Sequence, residues 1–456
     1  MPVYKRKFLK DSSIAFDKKH RKTINFNISR YNEAVAKGKL RYKNLNLAKE
    51  RASYIKSDVV KNLATYLEEF EKNAQKNGIE VIWARNGHEA VNEITRVAKE
   101  NNARLMVKSK SMISEEIELN KHVEEMGVEP VETDLGEFIV QVAGEKPYHI
   151  LTPAMHKSKE DVARLFNEKF DTPPDSSPEE LTGFVREKLR KQFTSAEIGV
   201  TGANFLVADV GGIVLTENEG NGFMSVSFPK VHIVIAGIEK ILPSINHLPL
   251  FLPLLSALGT GQQVTVYNSL LTGPKKTGES NGPEKMVVIL LDNKRTDIAQ
   301  AGEQSAALKC IRCGACLNAC PIYKNVGGYT YNTTYSGPIG SVISPYFNGF
   351  DSYNHLSFAC TVCGACTEVC PVKIPLHELL LNNRKNSVEM NLGTLKWDFG
   401  MKMYEFAFKN RKNLDAVNGN VKNSLLNLNR KVLGSKKNKP TFAKESFSKL
   451  KKLDKI

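Results

Sequence analysis

All eight cysteines of this 456-residue chain fall in two short words, "CIRCGACLNACP" (Cys310–Pro321) and "CTVCGACTEVCP" (Cys360–Pro371). Each reads C-x-x-C-x-x-C-x-x-x-C-P. Three thiolates at two-residue gaps can reach three irons of one cube from a single compact loop, and backbone N–H groups are then free to point at the sulfurs. Gly314 and Gly364 follow the second cysteine, where a side chain would crowd an inorganic core; Ala315 and Ala365 are small as well. Four cysteines in eleven residues, repeated, match poorly the two-pair spacing of zinc sites. Disulfides are a poor reading of clustered thiols in a large chain with no visible export signal. The pattern predicts two [4Fe–4S] clusters, which together make a wire for single electrons.

In two-cluster ferredoxins the fourth cysteine of such a run binds the other cluster. On that pattern Cys310, Cys313, Cys316 and Cys370 hold cluster 1, and Cys360, Cys363, Cys366 and Cys320 hold cluster 2. Thirty-nine residues separate Cys320 from Cys360, more than a minimal ferredoxin uses. The flanks "SAALKCIRCGACLNAC" and "IPLHELLLNN" read as helix. Residues 300–385 are therefore expected to form a helical ferredoxin domain, which resembles the cluster domains of fumarate reductase and anaerobic glycerol-3-phosphate dehydrogenase subunits. Tyr323, Tyr329, Tyr331, Tyr335, Tyr346 and Phe347 of the insertion are expected to keep water from the clusters, with a partner-docking face as the alternative. Lys309 and Arg312 flank the first loop and Glu368 lies in the second, so cluster 1 is expected to have the higher potential.

These loops need a scaffold. Residues 31–78 read as a helical lead-in closed by Gly78, with Val59, Leu63, Tyr66, Leu67 and Phe70 recurring at three and four. From residue 79 to 295 short apolar runs alternate with helical stretches: "EVIWA", "ARLMVK", "PVETD" and "YHILTP", then "GGIVLTE", "VHIVIAG", "QQVTVYN" and "EKMVVILLD". This alternation predicts an α/β domain with a largely parallel sheet. Amphipathic helices are expected over 386–430.

The net charge of +15 is concentrated at the ends. Residues 1–30 hold nine Lys or Arg against two Asp, and residues 431–456 hold nine Lys against Glu445 and Asp454. The sequence reading makes these a basic N-terminal segment and a basic tail, solvated and partly loose. Docking to an acidic partner or an anionic surface is the alternative. No aromatic-interleaved platform accompanies the charge, which argues against specific nucleic-acid binding. The most apolar stretch, "HLPLFLPLLSALGTG", is too short to span a bilayer and is broken by Pro249 and Pro253. No secretory signal is visible, so a cytoplasmic location is expected.

The order "KSKSM" (108–112), "ETDLGEFIVQ" (132–141), "HILTPAMHKSKEDVARLF" (149–166), "EIGVTGANFLVADVGGIVLTENEGNG" (197–222) and "VHIVIAGIEKILP" (231–243) resembles the LUD domain family. With the doubled cysteine word, residues from about 30 to 400 resemble the iron–sulfur subunits of three-protein L-lactate oxidation systems. The resemblance implies an isomerase/CoA-transferase-like sheet, conversion of L-lactate to pyruvate with two partner proteins, and an electron-transfer role for this subunit. The electron acceptor is not identified by any motif. The fold relationship raises one alternative, an acyl- or CoA-type enzyme using Glu217 or Glu219 beside Gly220 and Gly222; the basic ends with the doubled cysteine word raise another, a cluster adaptor for another membrane-linked dehydrogenase. Lys108 and Lys110 follow a strand end, where a carboxylate could bind, although solvated lysines are the plainer reading. No P-loop or dinucleotide fingerprint is present, and no catalytic residue is identified.

Overall fold

The computed structural model describes residues 2–393, 395–428, 438 and 440–453, in two compact units, Met1–Asn386 and Ser387–Ile456. Among the described residues ten strands are formed: β1 Glu80–Ala84, β2 Leu105–Lys108, β3 Glu129–Glu132, β4 Ile198–Gly202, β5 Phe205–Val207, β6 Gly212–Glu217, β7 Val231–Gly237, β8 Ile241–Leu242, β9 Tyr267–Leu271 and β10 Lys285–Leu291. Six of them make an all-parallel sheet in the order β1-β10-β7-β4-β2-β3. Alternate side chains of its central strands point to opposite faces. Ile233, Ile235, Val287 and Ile289 enter one apolar core, with Val91, Ile94 and Val97 of the helix Gly87–Glu100. Val234, Ala236, Val288 and Leu290 enter another, with Leu67 and Phe70 of the helix Leu63–Lys76. Both faces are covered, which is why these strands are apolar throughout rather than alternating. The remaining strands form a smaller sheet, β8-β5-β6-β9, that continues from the ends of β4 and β7.

Three expectations change here. "QQVTVYN" is strand only at Tyr267 and Asn268, where β9 begins. "YHILTP" is not a strand: Tyr148–Leu151 form bends, and Tyr148 and Ile150 are buried in the same core as the cysteine loops. Their apolarity serves the neighbouring domain, which a local pattern cannot reveal. The N-terminal segment is not a solvated tail either. It forms the helices Val3–Asp11 and Lys18–Lys39, the second running through residue 30 without a break. Phe8, Ile24 and Ile28 are buried in the cysteine-region core. Asp17 caps the second helix by accepting from the N–H groups of Lys19 and His20. The basic residues occupy the outer face.

The lead-in continues as Leu45–Lys61 and Leu63–Lys76, and the apolar "HLPLFLPLLSALGTG" forms the helix Leu248–Gly259. Among the described residues no helix is long and apolar enough to cross a membrane. The second unit holds the helices Leu395–Phe408, Arg411–Asp415, Gly419–Leu428 and Phe447–Lys452, tied internally by Asn423, which exchanges two hydrogen bonds with the Phe442 backbone. Of the basic tail, residues 431–437, 439 and 454–456 lie outside the described residues.

Candidate metal centre

The two cysteine words fold as near copies. In each, the second residue after the first cysteine takes a left-handed backbone (Arg312 φ 60°, Val362 φ 56°), and so does the glycine two residues on (Gly314 φ 74°, Gly364 φ 79°). These turns aim the Arg312 N–H at Cys310 Sγ (3.4 Å) and the Val362 N–H at Cys360 Sγ (3.2 Å). A Cβ on Gly364 would meet nothing within 4 Å, so within the protein it is backbone conformation that requires glycine there. Val362, a β-branched residue, adopts the same region at a cost of about 1–3 kcal/mol, which the repeated loop geometry imposes. A five-residue helix follows each loop, Ala315–Ala319 and Ala365–Val369. It carries the third cysteine, and the fourth lies just beyond its end.

These two helices pack on each other, and the fourth cysteines change places. One hollow is lined by Cys310, Cys313, Cys316 and Cys370, with an apolar shell that includes Ile150, Ile339 and Ile374. The other is lined by Cys320, Cys360, Cys363 and Cys366, with Tyr331, Leu356 and Leu380. Two further N–H groups reach sulfur, Tyr323 to Cys320 (3.5 Å) and Ile374 to Cys370 (3.4 Å). Among the described residues no three Cys, His, Asp or Glu side chains gather as ligands of a single metal ion. Four thiols around a hollow, an apolar shell and N–H donors to sulfur are the features an iron–sulfur cube requires, so these residues fit one. Burial pushes the Cys316 thiol well up and that of Cys366 to about 12, so ligation here must displace protons.

The hollows differ in surroundings. In the first, Cys313, Cys316 and Cys370 are buried; in the second, Cys363 is exposed. Cations surround the first. Lys56, Lys240 and Arg312 interact electrostatically with Cys310, and Lys49 and Lys309 with Cys370. Glu368 is exposed, and its carbonyl accepts from Lys49 Nζ (2.7 Å). At the second hollow Arg384 donates to the Cys360 carbonyl (2.6 Å).

Arg312 ties the first loop to the parallel sheet. Its Nη2 meets Glu239 Oε1 at 3.3 Å, while Glu239 Oε2 binds Arg295 Nε at 2.6 Å. Arg295 also grips Glu116 (2.8 Å), which accepts from Tyr335 (2.5 Å). Tyr335 lies under the Arg312 guanidinium, 4.3 Å from it. Burial would raise the Glu239 carboxyl, but Arg295 and Arg312 hold it down at about 2. Tyr323, Tyr331 and Tyr335 are buried as expected of the insertion, whereas Tyr329 is 37% exposed.

A cavity of about 410 Å³ opens beside this network, at the C-terminal ends of β2, β4 and β7. Lys110, Glu217 and Glu219 lie on its wall; Lys108 does not. Neither lysine is free in solvent: Lys110 is half-buried. Lys108 is fully buried on Glu132 (2.6 Å), and Lys110 pairs with Asp134 (2.8 Å). Glu217 accepts from the N–H groups of Gly222 (2.7 Å) and Phe223 (2.8 Å), so both its oxygens are engaged, which suits a structural turn better than a nucleophile. Sequence reasoning missed Glu239, Lys240 and Arg295. The available signal was position: "IEK" and "DNKR" directly follow the parallel strands "VHIVIAG" and "MVVILL".

A family model described as the LUD domain matches residues 67–291, and one described as a 4Fe-4S dicluster domain matches 306–374. The chain is 42% identical over 391 residues to lactate utilization protein B of Bacillus velezensis, covering 84% of this chain and 82% of that one. The protein of the same name from Bacillus subtilis is 42% identical over 364 residues, covering 78% and 76%. "Uncharacterized electron transport protein YkgF" of Escherichia coli is 38% identical over 359 residues, covering 79% and 75%. The α/β LUD domain followed by a helical iron–sulfur domain is thus shared along most of the length, and the chain belongs to the lactate utilization protein B family.

Proposed function

We propose that this iron–sulfur protein is the electron-transfer subunit of an assembly that oxidises L-lactate to pyruvate, acting with two partner proteins and a separate electron acceptor in the cytoplasm. The observation that carries this reading is the sorting of eight thiols into two adjacent hollows of four, each with its fourth cysteine supplied by the other loop. Cys310, Cys313, Cys316 and Cys370 hold one [4Fe–4S] cluster; Cys360, Cys363, Cys366 and Cys320 hold the second. Such clusters accept and release electrons singly, and lactate gives up two electrons and two protons on becoming pyruvate. The chain's own residues set the path. The apolar shells and buried tyrosines exclude water, and exposed Cys363 puts the second site at the surface where a partner can reach it. The test is anaerobic purification with the partner proteins and addition of L-lactate. Bleaching of the cluster absorbance is expected, and no bleaching by the assembled set would overturn the reading.

The charge around the two sites supports unequal potentials. Reduction adds negative charge, which Arg312 favours most; burial lowers the pKa of the lysines about the first hollow, Lys56 to about 7 and Lys240 to about 8, so they add less. Exposed Glu368 is screened and matters less than the sequence suggested. The first cluster is expected to be reduced first. Arg312→Gln should lower its midpoint and leave the second nearly unchanged, in a redox titration followed by electron paramagnetic resonance. Equal shifts, or a rise in the first, would refute it.

Both hollows lie in the unit Met1–Asn386, whereas residues 431–456 belong to the other unit. Deleting residues 431–456 should therefore leave the iron content of the purified protein unchanged. Loss of iron would show that the tail supports the cluster region.

A further inference from the structure

The cavity at the sheet's C-terminal edge has donors with nothing to bind. Ser111 is 6% exposed, and its Oγ has no hydrogen-bond partner. Nη1 of Arg312 is buried and likewise unpartnered, although Nη2 meets Glu239. Lys240, next in sequence to Glu239, has no hydrogen-bond or ion-pair partner for its Nζ among the described residues. All three line the cavity. Two neighbouring cations that repel each other, plus a buried hydroxyl, are costly to leave unanswered.

The other charges on the wall are already committed. Lys110 is taken by Asp134, Arg295 by Glu116 and Glu239, and Glu217 and Glu219 accept backbone N–H groups. Across the lining, four cations (Lys110, Lys240, Arg295, Arg312) face four carboxylates (Asp134, Glu217, Glu219, Glu239). A single added negative charge is welcome at the open donors. A doubly charged phosphate would meet the repulsion of four carboxylates in a low-dielectric space.

We propose that this cavity binds a small monocarboxylate, with its carboxylate seated on Lys240 Nζ and Arg312 Nη1 and with Ser111 Oγ as a further donor. Arg312 stands between Cys310 and Cys313, so the ligand lies against the first cysteine loop. Its charge offsets the cations that favour reduction of the cluster held there, and occupancy lowers that midpoint. The site thus lets the electron-accepting centre sense a carboxylate. This goes beyond the electron-transfer role, and its binding half is tested without partner proteins, so failure of one reading leaves the other standing.

The experiment is isothermal titration calorimetry of the cluster-loaded full chain with pyruvate, L-lactate, acetate and inorganic phosphate in turn. At least one carboxylate should bind, and phosphate should bind much more weakly. Lys240→Met should weaken carboxylate binding about tenfold or more with unchanged iron content, as expected for loss of a charge-assisted bond. If that variant loses iron, Ser111→Ala serves instead, with an expected loss of about threefold to tenfold. In the wild type, saturating carboxylate should lower the first midpoint and leave the second in place. The proposal is overturned if no carboxylate binds, if phosphate binds as tightly, if the iron-replete variant binds as the wild type does, or if the first midpoint does not move.

Discussion

Replacing Cys320 with serine is expected to damage the cluster proposed at Cys360, Cys363 and Cys366, forty residues or more away along the chain, and to spare the one nearest in sequence. Cys320 Sγ lines the second hollow, and the Tyr323 N–H already points at it (3.5 Å). Iron should fall from about eight to about four atoms per chain as the altered site loses its cube. The electron paramagnetic resonance signal of the reduced protein should then lose its spin–spin broadening, leaving one isolated centre. The mirror variant, Cys370→Ser, should do the reverse. Damage confined to the Cys310 site in Cys320→Ser would mean that each word holds its own cluster.

Glu239→Gln carries the second large effect. The carboxylate is 2% exposed and divides its oxygens between Arg295 and Arg312. The amide keeps the shape and removes the charge, leaving two buried guanidiniums under-compensated. Breaking a buried ion pair from one side costs about 3–5 kcal/mol. Arg295 retains Glu116, so the lower end of that range is expected, read as a fall in the denaturant midpoint. The same carboxyl gives a pH dependence. Its pKa is held near 2 in the fold against an ordinary 4.5. Its stabilisation is complete above the ordinary value and is lost as pH falls from there toward 2. An unchanged midpoint in Glu239→Gln would show that the network positions the loop without stabilising it.

What could be read from the sequence depended on how far apart the causes lie. The strands β7 and β10 were legible because runs such as "VHIVIAG" are apolar on both faces, and only a sheet covered on both sides asks for that. The iron–sulfur chemistry was legible because three of the four cysteines around each hollow sit within one loop. "YHILTP" misled because its apolar residues serve a partner near residue 323, not a strand neighbour. Lys108 read as a solvated strand-end lysine, yet it pairs with Glu132, which follows on the adjacent strand. Glu239, Arg295 and Arg312 meet only because β7, β10 and the first cysteine loop end at one place. No local pattern encodes that meeting.

On the ribosome, the helix Lys18–Lys39 emerges roughly 300 residues before the cysteine-region surface that buries Ile24 and Ile28. At about 5–20 residues per second, that interval lasts about 15–60 seconds. Through that time its apolar stripe is covered only in part, by the helix Leu248–Gly259 and the segment at Met155, and the first cysteine word lacks Cys370, its proposed fourth ligand. A nascent chain that stalls before residue 370 therefore presents both a partly open hydrophobic stripe and unpaired thiols, two features by which chaperones and proteases recognise an unfinished protein.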